Sequence, residues 1–155
     1  MAGLAVTAVA VAGVGATIYS RLPEELEAQP VFTEDGVAIR GTDPVAYFTE
    51  GKPVQGNSAI STEWNGATWH FSSEENRDQF LSDPEAYAPQ YGGFCAWAVA
   101  EKGKLYSTQP DNWSIVDGKL YLNFNDDIQA QWEQDIPAFI DQGDQRWPEI
   151  LASEG

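Results

Sequence analysis

The 155-residue sequence predicts an α+β fold: a small single domain of antiparallel hairpins with segregated short helices, preceded by an N-terminal apolar helix. Two dipeptides, Asn65-Gly66 and Asp117-Gly118, are the pairs preferred in two-residue β-hairpin turns. Helix-start signals lie outside these hairpins, and the elements do not alternate as strand–helix–strand units. The strands are therefore expected to pair within hairpins rather than across helical crossovers.

The N-terminal segment, residues 1–20, is predicted to be a signal sequence or a membrane anchor. Residues 2–19 carry no charge and are mostly Ala, Gly, Val and Thr. As a helix they would span roughly 27 Å, slightly short of a hydrocarbon core of about 30 Å. No basic residue precedes Arg21, which weakens the signal sequence, and large aliphatic side chains are scarce, which weakens the anchor. Both alternatives predict an extracytoplasmic (periplasmic) protein, secreted or anchored; a buried Ala-rich helix in a cytoplasmic protein is the third.

The next segment, residues 21–30, is acidic and bounded by prolines, and it is interpreted as a linker to a domain at residues 31–155. A short strand is expected at 37–40, after a turn. Asp43 followed by Pro44 is typical of a helix start, with an N-cap carboxylate and proline at the first helical position. One helical turn is therefore predicted at 45–48.

The remaining elements follow from turn and capping signals. Ser72 and Glu75 have the spacing of a capping box, which predicts a helix directly after the first hairpin. The further predicted elements are, in order, hairpin strands at 60–64 and 67–72, a helix from Asp83-Pro84 to Tyr87, an apolar helix at 94–100 after Gly92-Gly93, strands at 114–116 and 119–124, a helix at 126–135 capped by Asn125, and a last helix restarted by Pro137.

Charge and cysteine content exclude several classes of function. The formal net charge is -16, from 24 acidic and 8 basic residues, so the surface should repel phosphate backbones, and no nucleic-acid partner is expected. A single cysteine excludes an internal disulfide and the paired ligands of a zinc finger. Acidic pairs fall in predicted first helical turns, where they stabilise the helix dipole without any catalytic role.

Cys95 and His70, the sole thiol and the sole imidazole, are the candidate reactive groups. If Gly92-Gly93 open a helix, Cys95 falls in its first turn, where unpaired amides lower a thiol pKa. The alternative is a small buried hydrophobe. Strand alternation places His70 on the more polar face, with Thr68 and Ser72. Together the two could bind Cu(I) or act as thiol and base, provided that they approach each other.

Several ordered motifs resemble those of the YHS-domain family, in its bacterial exported subgroup that includes selenoproteins. These motifs are GTDPVAYF at 41–48, WNGATWHFS at 64–72, DPEAY at 83–87, YGGFCA at 91–96 and VDGKLYLN at 116–123. The resemblance implies a small α+β domain with a metal-related, often copper-linked, role. It also implies cysteines where this chain has Ala46, Ser72 and Ser73, so a multi-thiolate site is missing. The resemblance further implies that the subgroup includes selenocysteine forms at the position of Cys95, which favours chemistry at that atom over packing alone.

These observations predict an exported, non-enzymatic domain that binds a transition metal, copper above all, or carries a redox thiol. Cys95 and His70 are the predicted metal ligands, and Cys95 is the predicted redox thiol. The alternative is an accessory or interaction module tethered to a membrane protein complex. Most aromatic residues are expected in the core, although they could form a ligand platform. The residues expected to shape the fold are Asp43, Pro44, Asn65, Gly66, Gly92 and Gly93.

Overall fold

Two β-sheets and six α-helices build the part of the chain that the computed structural model describes, residues 24–153. The α+β prediction is confirmed. The predicted apolar helix and signal or anchor segment lie outside the described residues. Between residues 24 and 153, no helix combines the length and the apolar character that crossing a membrane requires.

The strands are β1 Thr33–Glu34, β2 Val37–Ala38, β3 Asn57–Trp64, β4 Ala67–Phe71, β5 Trp113–Val116 and β6 Lys119–Leu122. The larger sheet has four strands in the order β1-β2-β4-β3, and β2 pairs with β4 in parallel while the other neighbours are antiparallel. A separate hairpin, β5-β6, forms the second sheet. The helices are α1 Ala46–Thr49, α2 Glu74–Ser82, α3 Pro84–Tyr87, α4 Ala96–Lys102, α5 Asp126–Glu133 and α6 Ile136–Ser153.

Both predicted hairpins are confirmed. Asn65 and Gly66 have φ values of 52° and 80°, and Asp117 and Gly118 have φ values of 52° and 74°. Positive φ at both central residues is the requirement of a type I′ turn. The first turn places Trp69 and Phe71 on the buried face of β4 and leaves His70 on the other face.

Asp43 is a buried carboxylate that joins three elements. Its Oδ1 accepts hydrogen bonds from the backbone N–H groups of Val45 and Ala46, at 2.9 and 3.3 Å, at the start of α1. Its Oδ2 accepts from the backbone N–H and hydroxyl of Ser72 and from the Asn76 amide, at 2.7–2.8 Å. The predicted cap at α1 is therefore present, and the same side chain also connects the end of β4 to α2.

The predicted capping box at Ser72 and Glu75 is wrong. Ser73 is the N-cap of α2, and its hydroxyl accepts from the backbone N–H of Asn76 at 3.1 Å. Ser72 lies one residue before the cap and donates its N–H and hydroxyl to Asp43 instead. The long-range hydrogen bonds of Ser72 to Asp43 therefore take the place of the local cap predicted at Ser72.

The predicted strand at 37–40 is also too long, since β2 ends at Ala38. Ile39, Arg40 and Gly41 all have positive φ, at 42°, 58° and 75°, which is rare for a β-branched residue such as Ile39. Tertiary contacts hold this left-handed turn. The Arg40 side chain donates to the Thr108 carbonyl at 2.8 Å and forms a salt bridge with Glu34.

Helix α6 packs across the core through Tyr91. The Tyr91 hydroxyl donates to Asp144 Oδ1 at 2.9 Å, and a Cβ on Gly143 would lie 2.5 Å from that hydroxyl. Burial and the hydrogen bond to Asp144 raise the pKa of Tyr91 far above its usual range, so the phenol stays a donor. This contact fixes α6 beside the turn that leads to Cys95.

Candidate functional site at Cys95

A second left-handed turn positions Cys95. Tyr91, Gly92 and Gly93 have φ values of 57°, 65° and 86°. The helix predicted at 94–100 is present but begins later: the glycines form this turn, and α4 begins at Ala96 with Cys95 as its N-cap residue. The turn contacts the one at 39–41, because a Cβ on Gly93 would lie 2.6 Å from Ile39 Cγ2.

The backbone of Cys95 is fixed on both sides. Its N–H donates to the Tyr106 carbonyl at 3.0 Å, and its carbonyl accepts from Val99 in the first turn of α4. The residue also forms an isolated parallel bridge with Leu122, at the end of β6. The thiol consequently projects into the core, where Cys95 has no solvent-exposed area.

Asn123 provides the polar neighbour of the thiol. The Cys95 S–H donates to Asn123 Oδ1 at 3.5 Å, and the same oxygen accepts from the Trp97 backbone N–H at 3.0 Å. Asn123 is itself fully buried, and its backbone N–H donates to the Asn112 carbonyl. The sulfur is thus sealed from solvent but lies against an oriented amide.

Burial controls the ionisation of this thiol. Loss of solvation raises the pKa of Cys95 from its usual value near 9.0 to about 11, while the backbone N–H groups of Ala98, Phe124 and Trp97 lower it by less. The prediction of a lowered thiol pKa is therefore wrong in sign. The amides predicted to favour the thiolate are present, but the cost of charging a sealed sulfur exceeds their effect.

His70 lies on the other face of β4. It pairs with Ser61 on β3, and its ring neighbours Gly41, where an added Cβ would lie 3.2 Å from Nδ1. Trp69 and Phe71, on the buried face, belong to the core cluster that contains Cys95. The structure therefore does not bring the imidazole and the thiol together on one face of the sheet.

The three residues at positions where the family resemblance implies cysteines have structural roles in this chain. Ser72 binds Asp43, Ser73 caps α2, and Ala46 is buried in α1. Within residues 24–153, no group of three or more His, Cys, Asp and Glu side chains could hold a metal ion. The described part of the chain thus offers a single soft donor, Cys95, which suits only an ion that accepts few ligands.

Residues 45–91 match the family model of the YHS domain. The chain is a YHS domain-containing protein. The YHS domain is a family associated with metal binding. The match begins at the residue before α1, includes His70, and ends four residues before Cys95. No curated protein and no solved structure matches the chain.

Asn123 belongs to the thiol site, although no sequence pattern predicted it there. A hairpin strand was predicted through residue 124, but β6 ends at Leu122, and Asn123 turns its amide toward Trp97 and Cys95. The available signal was one asparagine between Leu122 and Phe124, in an otherwise apolar run. A buried amide must find hydrogen-bond partners, and for Asn123 Oδ1 they are the Cys95 thiol and the Trp97 N–H at the start of α4.

Proposed function

We propose that this YHS protein is a non-catalytic domain that binds copper(I) through the Cys95 thiolate. The observation that carries the proposal is the polar surrounding of the sulfur. Backbone N–H groups favour the thiolate, although burial outweighs them before a metal binds, and Asn123 Oδ1, 3.5 Å away, accepts from the neutral S–H. Thiolate is a soft ligand that selects Cu(I), and Cu(I) tolerates low coordination. The metal association of the YHS family supports the same class of ligand.

The non-catalytic part of the proposal rests on the separation of Cys95 and His70. A thiol nucleophile needs a base within hydrogen-bonding distance, and these are the only thiol and the only imidazole in the chain. The thiol donates to Asn123, which is not a base, and the imidazole lies on the opposite face of β4 from the core side chains. Binding therefore fits the arrangement better than acid–base or nucleophilic catalysis.

Anaerobic titration of the full-length protein with Cu(I) tests this function. The natural protein and His70→Ala should bind one ion equally well, since His70 faces away from the core. Cys95→Ser should lose at least about 100-fold in affinity, because a hydroxyl is a poor ligand for a soft ion. Equal weak binding by all three proteins would rule out the copper site, and loss in His70→Ala would restore the two-ligand hypothesis.

The affinity for Cu(I) measured in the same titration should increase with pH. A thiol with a pKa of about 11 must release its proton when the ion binds, so apparent affinity should rise about tenfold per pH unit from pH 6 to 8.

The rate of alkylation by iodoacetamide tests the accessibility of the thiol without a metal. Native Cys95 should react at least about 100-fold more slowly than the thiol in urea. Rapid alkylation with a plateau near pH 7 would instead support an exposed redox thiol.

A second candidate, an accessory or interaction module, is favoured by an aromatic groove at Trp64 and Trp147 that does not involve Cys95. In both versions we propose an extracytoplasmic location on the basis of residues 2–19. Membership of the exported subgroup is part of the same proposal. N-terminal sequencing of the native protein would distinguish a cleaved from an anchored form.

A further inference from the structure

A groove of about 700 Å³ opens between the turn of the β3–β4 hairpin, the Tyr91 turn and α6. Two aromatic pairs line it. Trp64 and Trp69 have ring centroids 5.9 Å apart, and Tyr91 and Trp147 have theirs 6.1 Å apart. Trp69 and Tyr91 are buried beneath the surface, whereas Trp64 and Trp147 remain partly exposed. The volume falls within the range of small-molecule sites.

Two carboxylates face this groove. Glu85 is exposed on α3, and Asp144 is exposed on α6, where the Tyr91 hydroxyl holds its Oδ1 at 2.9 Å. Lys119, at the start of β6, is the one basic residue among the described residues that line the groove. The local charge is therefore negative, as is that of the whole chain at -16.

We propose that this groove binds a small organic cation, an alkylated ammonium group, against the partly exposed rings of Trp64 and Trp147 and beside the two carboxylates. The face of an aromatic ring is negative, so a cation over Trp or Tyr is attracted electrostatically. An alkylated ammonium also has an apolar shell that suits indole surfaces and loses little hydration on binding. An anionic ligand would meet both Glu85 and Asp144, and a metal ion would gain nothing from the aromatic pairs.

This site is independent of the proposed copper function. Cys95 does not line the groove and has no exposed area. The indole N–H of Trp69 donates to the Trp64 carbonyl at 3.0 Å. That polar end of the buried floor therefore already has a partner within the protein. Either proposal can fail without the other.

Choline and its neutral isostere 3,3-dimethylbutan-1-ol are the probes that isolate the positive charge. Each is titrated into the ¹⁵N-labelled full chain while the indole N–H resonances are recorded. Choline should shift the signals of Trp64 and Trp147, and the alcohol should bind about fivefold more weakly because it has the same shape without the charge. Equal binding of both probes, or no shift with choline, would overturn the proposal.

Variants test the role of the carboxylates. Glu85→Gln combined with Asp144→Asn should weaken choline binding about fivefold or more; the amide oxygen can still accept from Tyr91. The control, Glu50→Gln with Glu133→Gln, removes the same charge from exposed positions outside the groove and should change affinity less than about twofold. Lys119→Gln should strengthen binding. Equal loss in the control, or weaker binding by Lys119→Gln, would contradict a cation site.

Discussion

Asp43→Ala is expected to lower the free energy of unfolding by about 3–5 kcal/mol, the largest effect of any single substitution proposed for this chain. The carboxylate accepts five hydrogen bonds and has no exposed area. Removing it leaves donors on Val45, Ser72 and Asn76 without an acceptor. Each buried donor without a partner costs roughly 1–3 kcal/mol, reduced where water can enter.

Asp83→Ala is the matched control for this substitution. Asp83 also precedes a proline at a helix start, but it is exposed and makes no capping hydrogen bond from its side chain. Its replacement should change the free energy of unfolding by less than about 0.5 kcal/mol in urea titrations. Asp43→Asn should fall between the two, because one oxygen remains while the new amide opposes the donors at Oδ2. Equal effects of the two alanine variants would contradict the role assigned to Asp43.

Asp43 and Asp83 also show what the sequence can and cannot reveal. Both Asp-Pro pairs correctly predict a helix start, since the signal depends on backbone geometry at one residue. The difference between them depends on Ser72 and Asn76, which lie 29 and 33 positions after Asp43. Contacts at such separations are set by the packing of the sheet against α2, and no local pattern encodes them.

The hairpins, like the helix starts, were predictable because their signals depend on the backbone geometry of one or two residues. Asn65-Gly66 and Asp117-Gly118 adopt positive φ at low cost, and the turn then fixes the register of the flanking strands. Register also decides which side chains face the core, so the placement of His70 on the polar face is confirmed. The strand predicted at 37–40 fails because Arg40 reaches Thr108, another contact between distant residues.

The chemistry of Cys95 could not be predicted because it depends on burial. The sequence correctly indicated backbone amides near the sulfur, but a thiol pKa reflects the balance between those amides and lost solvation. Here loss of solvation dominates, because Cys95 lies in the core with no exposed area. Asn123, which gives the sulfur its polar contact, lies 28 positions further along the chain.

Gly92→Ala is the second substitution with a large expected effect, a loss of about 2–5 kcal/mol in the free energy of unfolding. An added Cβ would overlap the Pro30 carbonyl oxygen and lie 3.1 Å from the Val31 Cα. Both obstacles are backbone atoms that cannot rotate away. In addition, a φ of 65° costs an L-residue roughly 1–2 kcal/mol. The Phe32 N–H bond to the Gly92 carbonyl would be lost as the two segments separate.

Gly118→Ala separates the steric part of this loss from the conformational part. Gly118 has a similar φ of 74°, but nothing lies within 4 Å of the position of its Cβ. Gly118→Ala should therefore lower the free energy of unfolding only by the conformational cost, roughly 1–2 kcal/mol. Equal losses of stability in the two variants would contradict the close approach of Gly92 to Pro30. Because Gly92 lies in the turn before Cys95, Gly92→Ala should also speed iodoacetamide labelling of the thiol, whereas Gly118→Ala should leave that rate unchanged. Faster labelling in Gly92→Ala alone would connect the packing of this turn to the sealing of the sulfur.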